Sequence, residues 1–211
     1  MKKLILAAFA LTTAASVFAQ GTVWLNNRIS AVGYTQTTHI WGPSSTTPTL
    51  SLVGLGSNDN PSGTTAFGTA SGMSLIGASG SGGKYGYATT FAQLIGAVGS
   101  NQAESSLVPV GQTTTFRSGS SLGDVALITD TLTGTPGIAA DATFATFELV
   151  AWDNSSGLYS TWTSAEVAWK AGLIAAGKSL AFNVSAIGGL NAVPQLNNMG
   201  GPTSFNLYFI P

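Results

Sequence analysis

Apolar positions along the chain come in short runs that end at Gly, Pro, Asn or Ser, and several runs alternate with polar neighbours. Residues 143–152 (TFATFELVAW) show the pattern best. Phe147, Leu149 and Ala151 fall on one side of a two-residue period, and Glu148, Val150 and Trp152 on the other. Such alternation, with β-branched and aromatic enrichment, predicts strands. Similar runs lie at 22–26, 38–41, 49–55, 87–98, 107–110, 125–129, 179–185 and 204–210. Many short strands with turn residues between them predict an all-β fold, a jelly-roll-like β-sandwich, in one domain over 20–211. An outer-membrane barrel fits less well, because the strand lengths are irregular and the chain ends at Pro211 rather than an aromatic residue.

One segment breaks the β pattern. Residues 163–177 (TSAEVAWKAGLIAAG) predict a short helix packed on the sheet. Thr163 and Glu166 have the spacing of a capping box. Val167, Leu173 and Ile174 recur near helical spacing, and Gly177 suits a left-handed C-terminal position. A second irregularity is the Gly/Ser/Thr-rich stretch 57–86, which predicts a surface loop with a weak hairpin at 72–78.

The first nineteen residues read as an address. Lys2 and Lys3 precede a short apolar run, 4–11, and Val17 and Ala19 stand at −3 and −1 of a cleavage point after Ala19. That is the layout of a secretory signal peptide, and the run is too short to span a bilayer. Export to the cell surface or medium is therefore expected, with no membrane span in the mature chain. Without the leader, five basic residues (Arg28, Lys84, Arg117, Lys170, Lys178) face all eight acids, a net charge of −3.

Composition then removes several function classes. Only 7% of the 211 residues are charged, there is no cysteine, and His39 is the sole histidine. Disulfide scaffolds, thiolate metal sites and thiol nucleophiles are excluded, and so few cations cannot neutralise a nucleic-acid backbone. Ser and Thr supply 50 residues, so the surface is expected to be built from hydroxyls rather than ions.

No motif commits the chain to catalysis. The glycine-rich run 77–86 lacks the Gly-Lys-Ser/Thr ending of a phosphate loop, because Tyr85 follows Gly83-Lys84. His39 stands in a strand-like THIW, and there is no G-x-S-x-G elbow. Carboxylates such as Glu148 and Asp153, near one strand end, could serve glycoside hydrolysis, as could Glu104, Asp124, Asp130, Asp141 or Glu166, but spacing selects no pair. Asn58-Asp59-Asn60 offers hard oxygen ligands that would suit a structural calcium ion, without the D-x-D-x-D-G pattern. Asn154 and Asn183 open Asn-x-Ser sequons, which matter only in a host that glycosylates them. No catalytic residue, cofactor or enzymatic activity is expected.

Five tryptophans, Trp24, Trp41, Trp152, Trp162 and Trp169, raise a carbohydrate-stacking alternative. Trp162 and Tyr159, in a Gly/Ser-rich turn, are the ligand-binding residues this alternative predicts.

Several short segments carry a resemblance when taken in order. They are Gly21-Thr22-Val23 with Asn26-Asn27, 91–94 (FAQL), 106–111 (SLVPVG), 114–119 (TTFRSG), 150–153 (VAWD), 177–179 (GKS) and 204–207 (SFNL). On these the mature chain resembles exported bacterial proteins of the PEP-CTERM sorting-signal type. The resemblance implies a secreted or cell-surface protein of a Gram-negative bacterium, associated with an exopolysaccharide matrix, and carries over no catalytic residue. In that group a Pro-Glu-Pro motif, an apolar helix and a basic tail follow the last strand; the sequence given stops at Ile210-Pro211, so the signal is either truncated or lacking. The expected partners are extracellular polysaccharide or further copies of the chain.

Overall fold

A computed structural model describes residues 19–31, 34–134 and 136–211; the predicted leader, 1–19, lies outside them save for Ala19. In chain order the strands are β1 (Thr22–Leu25), β2 (Arg28–Ala31), β3 (Tyr34–Thr37), β4 (Ile40–Trp41), β5 (Val53–Gly54), β6 (Thr90–Val98), β7 (Val108–Thr114), β8 (Ile128–Thr131) and β9 (Phe144–Asp153). After the helix α1 (Trp162–Lys170) come β10 (Ala176–Lys178), β11 (Phe182–Ser185) and β12 (Ser204–Asn206).

The alternating run at 143–152 is the spine of the fold. β9 pairs antiparallel with β6 over nine registered residues, from Thr90 opposite Asp153 to Val98 opposite Ala145. β7 continues this sheet beyond β6, while β10 and β11 both line the other edge of β9. The strand order β10-β9-β6-β7 is linear, with β11 beside β10 along β9, so this sheet does not close on itself. Its two faces do what the two-residue period predicts. Phe147, Leu149 and Ala151 join the larger apolar cluster, together with Val23, Leu25, Ile40, Phe205 and Leu207 from the smaller sheets. Those are the β1-β8 pair and the three-stranded β4-β12-β5 sheet, in which β12 runs parallel to β4. Among the described residues the chain is thus an all-β, sandwich-like fold with one short α-helix, as its sequence predicts. The hairpin β2-β3 was not foreseen.

The opposite face of β9 meets α1. Val150 and Trp152 pack there with Trp162, Ala165, Ala168 and Trp169. The helix is shorter than expected and begins earlier. Thr161, not Thr163, is the N-cap, and its side chain accepts from the Ser164 amide. The end comes at Gly172, whose φ of 70° is the left-handed turn that favours glycine. There the Gly172 amide bonds to the Trp169 carbonyl and Leu173 to Ala168, which closes the last turn. Gly177 instead lies inside β10, where Asn206 crosses so closely that a Cβ would overlap its carbonyl oxygen. Val167 and Leu173 face solvent, and small alanines and tryptophans make the buried stripe.

The stretch 57–86 is irregular but pinned. Met73 and Ile76 are buried, Phe67 stacks on Trp41 at 5.8 Å, and Gly77 bonds to the Tyr85 carbonyl. The expected hairpin at 72–78 reduces to one bridge, Trp41 with Leu75. No helix among the described residues is long and apolar enough to cross a membrane.

Candidate functional site

Two clefts hold the chemistry of the molecule. The larger, about 520 Å³, opens between the segment after β4, the pinned loop and the last residues of the chain. Local hydrogen bonds build its walls. Ser44 Oγ accepts from the amides of Thr46 (3.3 Å) and Thr47 (3.0 Å), which turns the chain back on itself. Gly42 bonds to the Ser74 carbonyl, Ser45 to that of Gly72, and Phe209 to that of Pro48. Gly42 lies against the Tyr85 ring, with a notional Cβ 3.7 Å from it.

Tyr85 and Phe209 bring two half-buried rings to this cleft, and Ser45, Ser74 and Ser79 bring hydroxyls. Tyr85 holds a φ of 60°, a conformation a bulky residue rarely adopts. Burial, with help from the Asp153 charge, pushes its phenol up to about 12, so it stays a neutral donor. Lys84 stands exposed at the rim and pairs with no carboxylate among the described residues.

The smaller cleft, about 270 Å³, lies over the end of the central sheet that α1 leaves uncovered. Glu148 sits there in the middle of β9, 3% exposed. Its Oε2 has no hydrogen-bond partner, and Lys178 Nζ stands 3.8 Å away. Lys178 also binds Glu104, which reaches in from a short 3-10 turn at Glu104–Ser106. Burial pushes the Glu148 carboxyl up to about 7, against the pull of Lys178 and with the push of Glu104. For Lys178, burial works against the ammonium, but the bond to Glu104 and the charge of Glu148 outweigh it and raise its pKa.

The residues singled out from sequence fare differently. Trp162 is 3% exposed and clasped between Trp152 (5.8 Å) and Trp169 (5.9 Å), so it is core and no stacking platform. Tyr159 is half-buried, and its carbonyl accepts from Trp152 Nε1 at 2.7 Å. The expectation for Trp162 is corrected because its ring area is worth more buried than exposed; Tyr159 packs half-buried against the same aromatic cluster. Of the five tryptophans, Trp24 alone is exposed.

Asp59, the charged member of Asn58-Asp59-Asn60, is turned inward. Its Oδ1 meets His39 Nδ1 at 2.7 Å, and its Oδ2 accepts from Gly56 N (2.5 Å) and Ser204 Oγ (2.8 Å). Both side-chain oxygens of Asp59 already have protein partners, whereas calcium wants several free oxygens. Ser204 also accepts from the His39 amide at 2.6 Å, so this Ser-Asp-His grouping braces β12 against the start of β4. It is not a nucleophilic triad, because the serine bonds the aspartate rather than the imidazole. Glu148 and Asp153 differ by an odd number of strand positions and point to opposite faces of the sheet; the carboxylate beside Glu148 is Glu104.

Sequence reasoning missed Tyr85, Phe209 and Lys178 as cleft residues. One signal was present for Glu148, a charged residue inside an otherwise apolar run. No signal marked Tyr85 or Phe209, since their rings meet only through distant turns. Comparison with known proteins finds no family model, no curated protein and no solved structure that matches the chain.

Proposed function

We propose that the chain is an exported, non-catalytic β-domain of a bacterial cell surface or matrix, and that it binds polysaccharide in the open cleft beside Tyr85 and Phe209. The observation that carries this reading is the cleft itself, about 520 Å³, with two aromatic rings and four serines along it. That size suits a small ligand or one or two sugar units, and pockets of this kind combine apolar area with a few polar groups. Ring faces stack on sugar rings, and hydroxyls replace the water that sugar hydroxyls lose. A surface with few ions admits neutral glycans without the cost of stripping water from charges. The leader and the resemblance to PEP-CTERM-type exported proteins support the location.

Calorimetric titration with cello-oligosaccharides and dextran tests the binding. Binding that weakens about tenfold in both Tyr85→Ala and Phe209→Ala, with folding intact, is expected. A folded protein that binds neither glycan overturns the reading. Expression with the leader attached tests the location: cleaved protein outside the cytoplasm is expected, and uncleaved protein inside the cell overturns it.

A further inference from the structure

The smaller cleft shares no lining residue with the open one, and its central group leaves one oxygen without a hydrogen bond. Glu148 is a carboxyl buried in the central strand with Oε2 unpartnered. An unpaired buried carboxyl destabilises, and an apolar residue of the same size would pack there without that cost. Buried titratable groups with a charge partner beside a cleft are functional candidates on physical grounds. The cleft also holds the Lys178 ammonium, the Tyr208 hydroxyl and Ser51, the last exposed.

What this arrangement fits is decided by its donors. Near neutrality burial keeps a proton on much of Glu148, so that it donates, and Lys178 donates beside it. Two donors that converge on one place suit a carboxylate, which accepts on both oxygens. A cationic ligand would meet the Lys178 charge head on. The protein already places a carboxylate there: Glu104 binds Lys178 from a surface turn, with its side chain 62% exposed. An ion pair so open to water is weak and readily exchanged. Leu52 and Tyr208 add an apolar wall on which a sugar ring can lie.

We propose that this cleft binds the carboxylate of an acidic sugar, with Lys178 and Glu148 gripping the group that Glu104 imitates. The ligand displaces Glu104, which swings to solvent. Lys178 on β10, Glu104 on the turn and Tyr208 after β12 are the charged and titratable groups that face Glu148. Because the protonated carboxyl is the binding form, affinity falls as pH rises through about 7.

Titration of the full chain with sodium glucuronate is the test, followed by calorimetry and by tryptophan fluorescence. Trp169 lies 5.1 Å from Tyr208 and reports on the cleft. Glu104→Gln is expected to tighten glucuronate binding several-fold, because the internal competitor is gone. Lys178→Met is expected to weaken it by at least about tenfold. Glu148→Gln keeps a donor and is expected to abolish the fall in affinity between pH 6 and 8. Glucose is expected not to compete, and acetate to bind more weakly than glucuronate. Glu104 stands on an exposed turn, so its variant folds and decides the matter. Glucuronate affinity unchanged or weakened in Glu104→Gln overturns the proposal, as does undiminished binding in a folded Lys178→Met protein. Equal affinity for acetate and glucuronate overturns the sugar assignment.

Discussion

Trp152 and Trp162 pack with ring centroids 5.8 Å apart, a contact that ties the central strand β9 to helix α1. It belongs to a longer run of rings, Phe91, Trp152, Trp162, Trp169 and Tyr208, each 5.1 to 5.9 Å from the next. Two of its three indoles donate to backbone carbonyls, Trp152 Nε1 to Tyr159 and Trp169 Nε1 to Tyr208. The run replaces the second sheet that would otherwise cover this face.

Trp162→Ala is therefore expected to cost about 3 to 5 kcal/mol of folding stability, the usual loss for a large buried aromatic. Urea denaturation measures it. At concentrations where the variant stays folded, its affinity for cello-oligosaccharides should match that of the unchanged protein. A variant with full stability and lost glycan binding would return Trp162 to the role of stacking platform.

Gly177→Ala is expected to destabilise by about 1 to 3 kcal/mol, the cost of forcing an extra methyl into packed surroundings. The added Cβ would overlap the Asn206 carbonyl oxygen and press on Phe205 at 3.0 Å, so β12 must shift away from β10. Gly172→Ala is also expected to destabilise, for a different reason: its φ of 70° strains any residue with a side chain. Thermal unfolding of both variants checks the pair. A neutral Gly177→Ala would show that the two strands do not approach as described.

These two glycines show where sequence and structure part. The helix was legible in place but not in face: of Val167, Leu173 and Ile174, whose spacing predicts it, Val167 is exposed and the other two lie beyond Lys170, and its end comes five residues earlier than expected. Gly172 and Gly177 look alike in sequence, and only the crossing of β12 over β10 tells them apart. The strands were legible because a two-residue period survives even in short runs, and 143–152 gave both faces of β9 correctly. β10 was hidden, since three residues, Ala176–Lys178, are too few to show a period. The smaller cleft was half legible. Glu148 stands out among apolar neighbours, yet its partners Glu104 and Lys178 are 44 and 30 positions away, and only the fold brings them together. The open cleft was not legible at all, because turns rather than strands carry Tyr85 and Phe209.

Calcium is expected to leave the melting temperature unchanged. A ligand that binds the native state raises stability in proportion to its saturation, and Asp59 has both oxygens committed to His39, Gly56 and Ser204. Asp59→Ala, by contrast, strips partners from three buried or half-buried donors and is expected to cost about 3 kcal/mol or more. A calcium-dependent rise in melting temperature that Asp59→Ala removes would overturn this account of 58–60.

The pH dependence of stability follows from a second buried acid. Asp130 in β8 is fully buried; Oδ1 accepts from the Gln112 amide at 2.7 Å, while Oδ2 has no partner. Burial pushes its carboxyl up to about 7, and the Gln112 bond only partly opposes this. Glu148 is raised to about 7 as well. In the unfolded chain both titrate near the ordinary carboxylate value of about 4. Between those values the folded state holds more protons than the unfolded state, so stability falls as pH rises. The contribution of these two acids is therefore fully present below about pH 4 and is lost as pH climbs through about 7, the reverse of the usual behaviour of paired carboxylates. Asp130→Asn keeps the oxygen that accepts from Gln112 and removes the charge. It is expected to match or fall slightly below the unchanged protein at pH 5 and to exceed it at pH 8. Urea midpoints at the two pH values decide this, and an Asp130→Asn protein with the same pH slope as the unchanged chain would show that Asp130 folds in its charged form.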